Sequence, residues 1–197
     1  MDDMRADARQ FSRRIIGIAG ASCSGKSTLS NQLAESIGAD IFHFDDYWIR
    51  GCHKPIINGE PSFERPEQYD GSALFADVMG AIEKNPGRPI IMEGILIFMH
   101  EKIHQMCSDR FFLDHRSDEL LIARRRARAQ AGGGMSESDR SWLANGIEEW
   151  RQYGNRQRYM RDVVVLNALQ RPKDILDNII AVMERNHQEQ MRPGMNF

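Results

Sequence analysis

The chain has 197 residues, 41% of them hydrophobic, enough for one buried core with a small appended segment. A formal net charge of −2 and a pI of about 6.3 exclude bulk attraction to nucleic acid or to an anionic membrane surface. Three scattered cysteines (Cys23, Cys52, Cys107) without metal spacing read as reduced thiols of a cytoplasmic protein, and no apolar run approaches the ~18 residues of a membrane helix.

Residues 1–13 mix acids with arginines, lack an apolar core and are expected to form a flexible polar arm ahead of a single domain over 14–190. A buried strand is predicted over 15–19. It runs into Gly20-Ala21-Ser22-Cys23-Ser24-Gly25-Lys26-Ser27, followed by Thr28, an intact G-x-x-x-x-G-K-S spacing. Glycines let such a loop turn tightly with its N–H groups inward, and the positive end of the next helix faces the same hollow. Lys26 can reach the β- and γ-phosphates of a nucleoside triphosphate, and the Ser27 hydroxyl can bind Mg²⁺.

The helix after the loop is predicted over 25–37, with Leu29, Leu33 and Ile37 on one face. A short strand over 41–44 ends in Asp45-Asp46, where one acid can hold the metal or accept a proton from an attacking hydroxyl. Asp45 is favoured, because Asp46 points to the other side of an extended chain. Residues 50–66 read as a long Pro/Gly loop, 70–84 as a helix, and 89–98 as an apolar strand interrupted by Glu93-Gly94. A carboxylate inside that run needs a metal, a water or a donor to meet it.

Further on, 111–113 is a strand and 118–130 an Arg-rich helix carrying Arg124, Arg125, Arg126 and Arg128. Guanidinium groups there can neutralise a transferring phosphoryl group. Arg124 and Arg128 share one helix face, while Arg125 and Arg126 point elsewhere. Gly132 to Gly134 would let a lid of about 124–150 open and close. A helix over 140–161, a strand over 163–166 and a helix over 172–190 complete an alternation typical of a doubly wound parallel α/β sheet, whose ligands bind at the carboxyl ends of the strands. His100 and His104 lack a metal-binding context and read as helix surface. In Phe63-Glu64-Arg65-Pro66-Glu67-Gln68-Tyr69-Asp70, aromatics and acids can stack a ring and bind vicinal hydroxyls, while Asp70 can equally cap a helix.

Taken together, GASCSGKST, FHFDDYW, FERPEQYD, IIMEGILIF and LLIARRRAR resemble the uridine kinase and nicotinamide riboside kinase group of P-loop nucleoside kinases over about residues 14–185. The resemblance implies a P-loop kinase fold with a small Arg-rich lid, ATP and Mg²⁺ as cofactors, and a small nucleoside-like acceptor, with no nucleic-acid or membrane partner and a homo-oligomer as a possibility. It implies ATP contacts from Gly20 to Thr28, Arg124, Arg128 and Asn167, the last near the adenine. Metal contacts would come from Ser27, Asp45 and Glu93. Asp45, Lys26, Arg125 and Glu93 would be catalytic, and Asp45, Asp46, Tyr47, Phe63, Glu64, Tyr69, Asp70 and Arg125 would meet the acceptor. Glu64 stands where the group carries Asp, whereas Gln68-Tyr69-Asp70 looks like the Gln-Tyr-Asp of riboside kinases, so the acceptor-holding acid is Glu64 or Asp70. Nicotinamide riboside is the first expected acceptor, with uridine, cytidine or another small alcohol as alternatives. A non-catalytic ATP-binding regulator is the reading from another class.

Overall fold

Alternation of apolar side chains along each central strand dictates two packed faces, and the computed structural model, which describes residues 14–191, has both. β1 (Ile15–Gly20), β2 (Asp40–His43), β5 (Ile90–Gly94), β6 (Asp109–Asp114) and β7 (Val164–Asn167) pair in parallel in the order β2-β5-β1-β6-β7. Ile16, Ile18, Ile91, Phe111 and Leu113 face Leu29, Leu33 and Ile37 of α1 (Lys26–Ile37) and Ile175, Ile179 and Met183 of α7 (Pro172–Met191). On the other face Ala19, Ile90, Met92 and Phe112 pack with Leu74 and Val78 of α2 (Gly71–Lys84) and Ile103 of α3 (Glu101–Met106). Full burial of each large side chain contributes about 1.5–3 kcal/mol.

Four expectations are refined. The apolar run over 89–98 leaves the sheet after Gly94, and Ile97–Met99 form a 3₁₀ turn. The freed backbone is satisfied by a buried amide instead of a ladder: Gln157 Nε2 donates to the Ile95 carbonyl at 2.9 Å and its Oε1 accepts from the Phe98 N–H at 3.0 Å. The loop over 50–66 holds a small antiparallel hairpin, β3 (Ile56–Ile57) and β4 (Glu60–Pro61). After α4 (Asp118–Ala131), the expected single helix over 140–161 is α5 (Glu137–Ser141), a π-helical turn over Trp142–Gly146, and α6 (Ile147–Arg158). His100 is half-buried and not simply helix surface: its ring meets Phe44 edge-on at 4.9 Å, and burial lowers its pKa.

Arg14 ties the start of β1 to the rest, pairing with Asp109 at 2.9 Å and donating to the Met183 carbonyl at 3.1 Å, with both side chains buried. Among the described residues no helix is long and apolar enough to cross a membrane. The expected arm over 1–13 lies outside the described residues.

Candidate active site

The turn between β1 and α1 sits at the carboxyl edge of the sheet, where β1, β5 and β6 all end. Gly20, at φ 153°, leaves no room for a side chain: a Cβ would stand 2.7 Å from the Leu113 carbonyl. Cys23 takes a left-handed φ of 63°, a conformation uncommon outside glycine. Lys26 is buried and donates from Nζ to the Ala21 carbonyl at 3.0 Å, bent back across the loop's own hollow. Ser22, Cys23, Gly25, Lys26, Ser27 and Thr28 line a cleft of about 260 Å³ with Asp45, Ile95, Arg124 and Arg128. Gly20, Ala21 and Ser24 shape the turn from behind, and the Ser24 N–H closes it on the Ala21 carbonyl at 3.2 Å.

The two carboxylates approach from neighbouring strands. Glu93, inside β5 and buried, accepts at Oε1 from the Ser27 hydroxyl at 2.8 Å and meets His43 Nδ1 at 2.7 Å. Asp45 lies in a 3₁₀ turn over Phe44–Tyr47, not on extended chain, so strand alternation does not separate it from Asp46. Its tip opens on the cleft while protein crowds it elsewhere. That loss of hydration raises its pKa, the Lys26 ammonium opposes the shift, and Glu93 and Asp46 reinforce it. Ser27, Asp45 and Glu93 present one hydroxyl and two carboxylates. Hard oxygen donors of this kind, too few to enclose an ion, suit Mg²⁺, which keeps waters and phosphate oxygens in its shell. No cluster of three or more His, Cys, Asp or Glu groups able to hold a metal occurs among the described residues.

Two arginines of α4 reach the same loop and Arg128 lines the cleft beside them, contrary to the expectation that Arg125 points away from Arg124 and Arg128. Arg124 Nη1 donates to the Cys23 carbonyl at 3.3 Å. Arg125, buried, donates to Ser22 Oγ at 2.7 Å, to Asp139 Oδ1 at 2.5 Å and to Ser138 Oγ at 3.1 Å, its guanidinium 5.4 Å from the Trp142 ring. Asp139, which also caps α5 through Ser136, thus aims Arg125 at the phosphate turn. The Gly132 to Gly134 stretch, with Gly133 and Gly134 at positive φ, joins α4 to this holder.

A second pocket of about 350 Å³ adjoins the cleft and shares Ser22, Asp45, Ile95 and Arg128 with it; Trp48, Phe63, Glu64, Tyr69, Arg125 and Ser138 complete its wall. Trp48 lies 5.5 Å from the Phe63 ring and edge-on to Tyr69 at 5.2 Å. Glu64 is buried, one carboxyl oxygen is without a partner, and burial pushes its pKa up to about 8 against the pull of Arg125. Asp46, Tyr47 and Asp70, expected at the acceptor, are not brought here. Asp46 is exposed, Tyr47 donates its hydroxyl to Asp77 at 2.9 Å, and Asp70 caps α2 by accepting from the Ser72 and Ala73 N–H groups at 3.0 and 2.9 Å. Of the two candidate acids, Glu64 alone lines the pocket.

A third hollow of about 380 Å³, more apolar in its walls, flanks the other side of the turn, with Ser24, Thr28, Leu120, Arg124, Ala168 and Leu169 around it. Asn167 stands outside it, on a separate groove between β7 and α7, and its Oδ1 accepts from the Leu169 N–H at 3.0 Å, shaping the chain that reaches the hollow. Trp48, Ile95, Ser138 and Asp139 escaped the sequence reading. Trp48 carried a signal in the Asp-Asp-Tyr-Trp exit, whereas Ile95, Ser138 and Asp139 reach the site through a strand exit and a lid turn that no motif marks.

No family model matches the chain. A uridine kinase of Chloroflexus aggregans is 30% identical over 162 residues, covering 68% of this chain and 78% of that protein. A uridine kinase of Chlamydia pneumoniae is 24% identical over 202 residues, covering 89% of this chain and 90% of that one. In fold, the chain is similar to a gluconokinase from Sinorhizobium meliloti 1021, with a TM-score of 0.54 and 17% identity over 90% of this chain and 95% of the other. Sequence kinship of that extent, on a sheet whose carboxyl edge carries an intact phosphate turn, makes this chain a member of the uridine kinase family of P-loop nucleoside kinases, ATP-dependent phosphotransferases with an alcohol group as acceptor.

Proposed function

We propose that the protein phosphorylates the primary hydroxyl of uridine or cytidine, with Mg²⁺ accompanying ATP. The observation that carries this reading is the shared wall of two adjoining pockets: Asp45 lines both the phosphate cleft and the aromatic chamber. A nucleoside whose base stacks beside Trp48 and Phe63 would bring its primary hydroxyl to the Asp45 carboxylate. There the raised proton affinity of Asp45 suits it to accept the hydroxyl proton as the oxygen attacks. Glu64, the carboxylate of that chamber's wall, is the group for the sugar hydroxyls.

The main-chain N–H groups from Gly20 to Thr28 and the Lys26 ammonium hold the β- and γ-phosphates. Arg124, Arg125 and Arg128 face the transferring group and exclude water from it. Ser27, Asp45 and Glu93 would hold Mg²⁺, which when bound neutralises charge on the phosphate oxygens. The relatives' printed name favours uridine over nicotinamide riboside. Nicotinamide riboside remains the second reading, because aromatic side chains at Trp48 and Tyr69 suit a cationic ring, whereas the Phe63 ring already carries the Lys54 ammonium at 4.4 Å.

ADP formation from Mg-ATP should be measured with uridine, cytidine, nicotinamide riboside and small sugar alcohols as acceptors. Uridine or cytidine is expected to raise the rate most, and chelating the metal should abolish that rise. A rise with nicotinamide riboside alone would move the assignment to the second reading. A rate that no acceptor lifts above the acceptor-free rate would leave an ATP-binding protein without this activity.

A further inference from the structure

The acceptor chamber owes two of its walls, Phe63 and Glu64, to a loop with no regular structure, which raises the question of what holds that loop still. Within the loop, Gln68 is wholly buried and closes a knot: its Nε2 donates to the Ser62 carbonyl at 2.9 Å and to the His53 carbonyl at 3.1 Å, and its Oε1 accepts from the Arg65 N–H at 3.1 Å. One group from outside reaches this knot on both sides of Phe63-Glu64. Glu149 Oε1, on α6, accepts from the Ser62 hydroxyl at 2.8 Å and from Arg65 Nε at 3.1 Å. The Ser62 oxygen in turn accepts from the Glu64 N–H at 3.4 Å. Arg65 is steadied further by Tyr153, whose hydroxyl lies 3.4 Å from Nη1.

Glu149 is 5% exposed and its second carboxyl oxygen is buried without a partner. A buried carboxylate with half its lone pairs unused is costly unless it does something the fold requires. Its neighbours on the same strip of helix make the same connection. Asn145 Nδ2 donates to the Ile57 carbonyl at 2.5 Å, Asn58 Nδ2 donates to Asn145 Oδ1 at 2.7 Å, and the Ser141 hydroxyl donates to the Pro61 carbonyl. The segment that carries Asp139 and aims Arg125 therefore also grips the acceptor hairpin.

We propose that Glu149 is a positioning residue for the acceptor: by holding Ser62 and Arg65 it fixes Phe63 and Glu64 at the chamber wall, and so sets acceptor affinity without touching the phosphates. The inference rests on the reading of this chamber as the nucleoside site.

Steady-state kinetics of the full chain with uridine, cytidine and nicotinamide riboside tests it, on wild type, Glu149→Gln, Glu149→Ala and Ser62→Ala. Gln keeps the volume and an acceptor oxygen while losing the charge that meets Arg65. The expected result is an acceptor KM raised about tenfold in Glu149→Ala, the scale of a lost charge-assisted hydrogen bond, and less in Glu149→Gln and Ser62→Ala. ATP KM should stay within about twofold and kcat within about threefold, a split that general loosening of the fold would not produce. An acceptor KM unchanged in Glu149→Gln and Ser62→Ala overturns the proposal even if Glu149→Ala does not fold. So does a parallel rise of both KM values. A wild type that turns over none of the three nucleosides defeats the reading of the chamber and the inference with it, whereas an active wild type with indifferent variants defeats the tether alone.

Discussion

Asp45 holds its position through its neighbours more than through its own strand. Phe44, fully buried before it, stacks on Tyr69 with ring centroids 5.0 Å apart, and the turn that follows lifts the carboxylate into the cleft. If Asp45 is the proton acceptor, Asp45→Asn keeps the shape and loses the base, and kcat should fall about 10²–10⁴-fold. Because the Asp45 pKa is raised, the basic form disappears as pH falls through that elevated value. In the metal-free protein Asp45 should therefore titrate above the ordinary aspartate range, a step that Asp45→Asn should lack. Parallel pH titrations of both proteins without metal read this out. Asp45 and Glu93 could be singled out in the sequence because a charge at the end of an apolar run has few structural explanations, and Lys26 because of the G-x-x-x-x-G-K-S spacing. Asp46, Tyr47 and Asp70 lie outside the chamber's wall, and each has another task, as exposed acid, hydrogen-bond donor to Asp77 and helix cap, that a pattern of residue types cannot separate from recognition.

Glycine at 94 shows how an element's end is built. A Cβ there would stand 2.5 Å from the Phe44 Cβ, so β5 and the turn bearing Asp45 lie against each other only because nothing intervenes. Gly94→Ala should cost about 1–3 kcal/mol by overpacking, with a fall of several degrees in Tm, and activity should drop with it since Phe44 adjoins Asp45. Thermal unfolding and turnover measured side by side would decide, and an unshifted Tm would show that the strand end relaxes freely. Strands and helices were readable because their hydrophobic periods are set by geometry. The end of β5 was not, since Ile95, Leu96, Ile97 and Phe98 are as buried in their peeled conformation as a sheet would make them, and the Gln157 amide that replaces the ladder comes from far along the chain. The breaks around Trp142–Gly146 were hidden likewise, because π-helical turns carry no distinct sequence period.

For the molecule as a whole, Glu64 makes stability depend on pH. Its folded pKa of about 8 lies above its ordinary value of 4.5, so the stability it contributes is complete below about 4.5 and is lost as pH rises through about 8. Glu64→Gln cannot ionise and escapes that loss. Its Tm should therefore gain on wild type from about pH 5 upward, with the difference widening to about pH 8 and levelling by pH 9. Parallel melting curves across that range would place the Glu64 charge in contact with water. The doubly wound plan was open to reading from the alternation of strand and helix, but the chamber beside the phosphate turn was not, because it is assembled from the loop after β4 and the distant Arg125 and Ser138, and its loop is held by the distant Glu149, all of which meet only in three dimensions. Its location has an evolutionary corollary. The aromatic and acidic wall is carried by the excursion between β2 and α2, off the central sheet, while the residues proposed to grip the donor belong to the turn after β1, the start of α1, β5 and α4. A lineage can thus exchange one alcohol for another by rewriting that excursion and its anchor on α6, leaving the energy-transferring apparatus inherited intact.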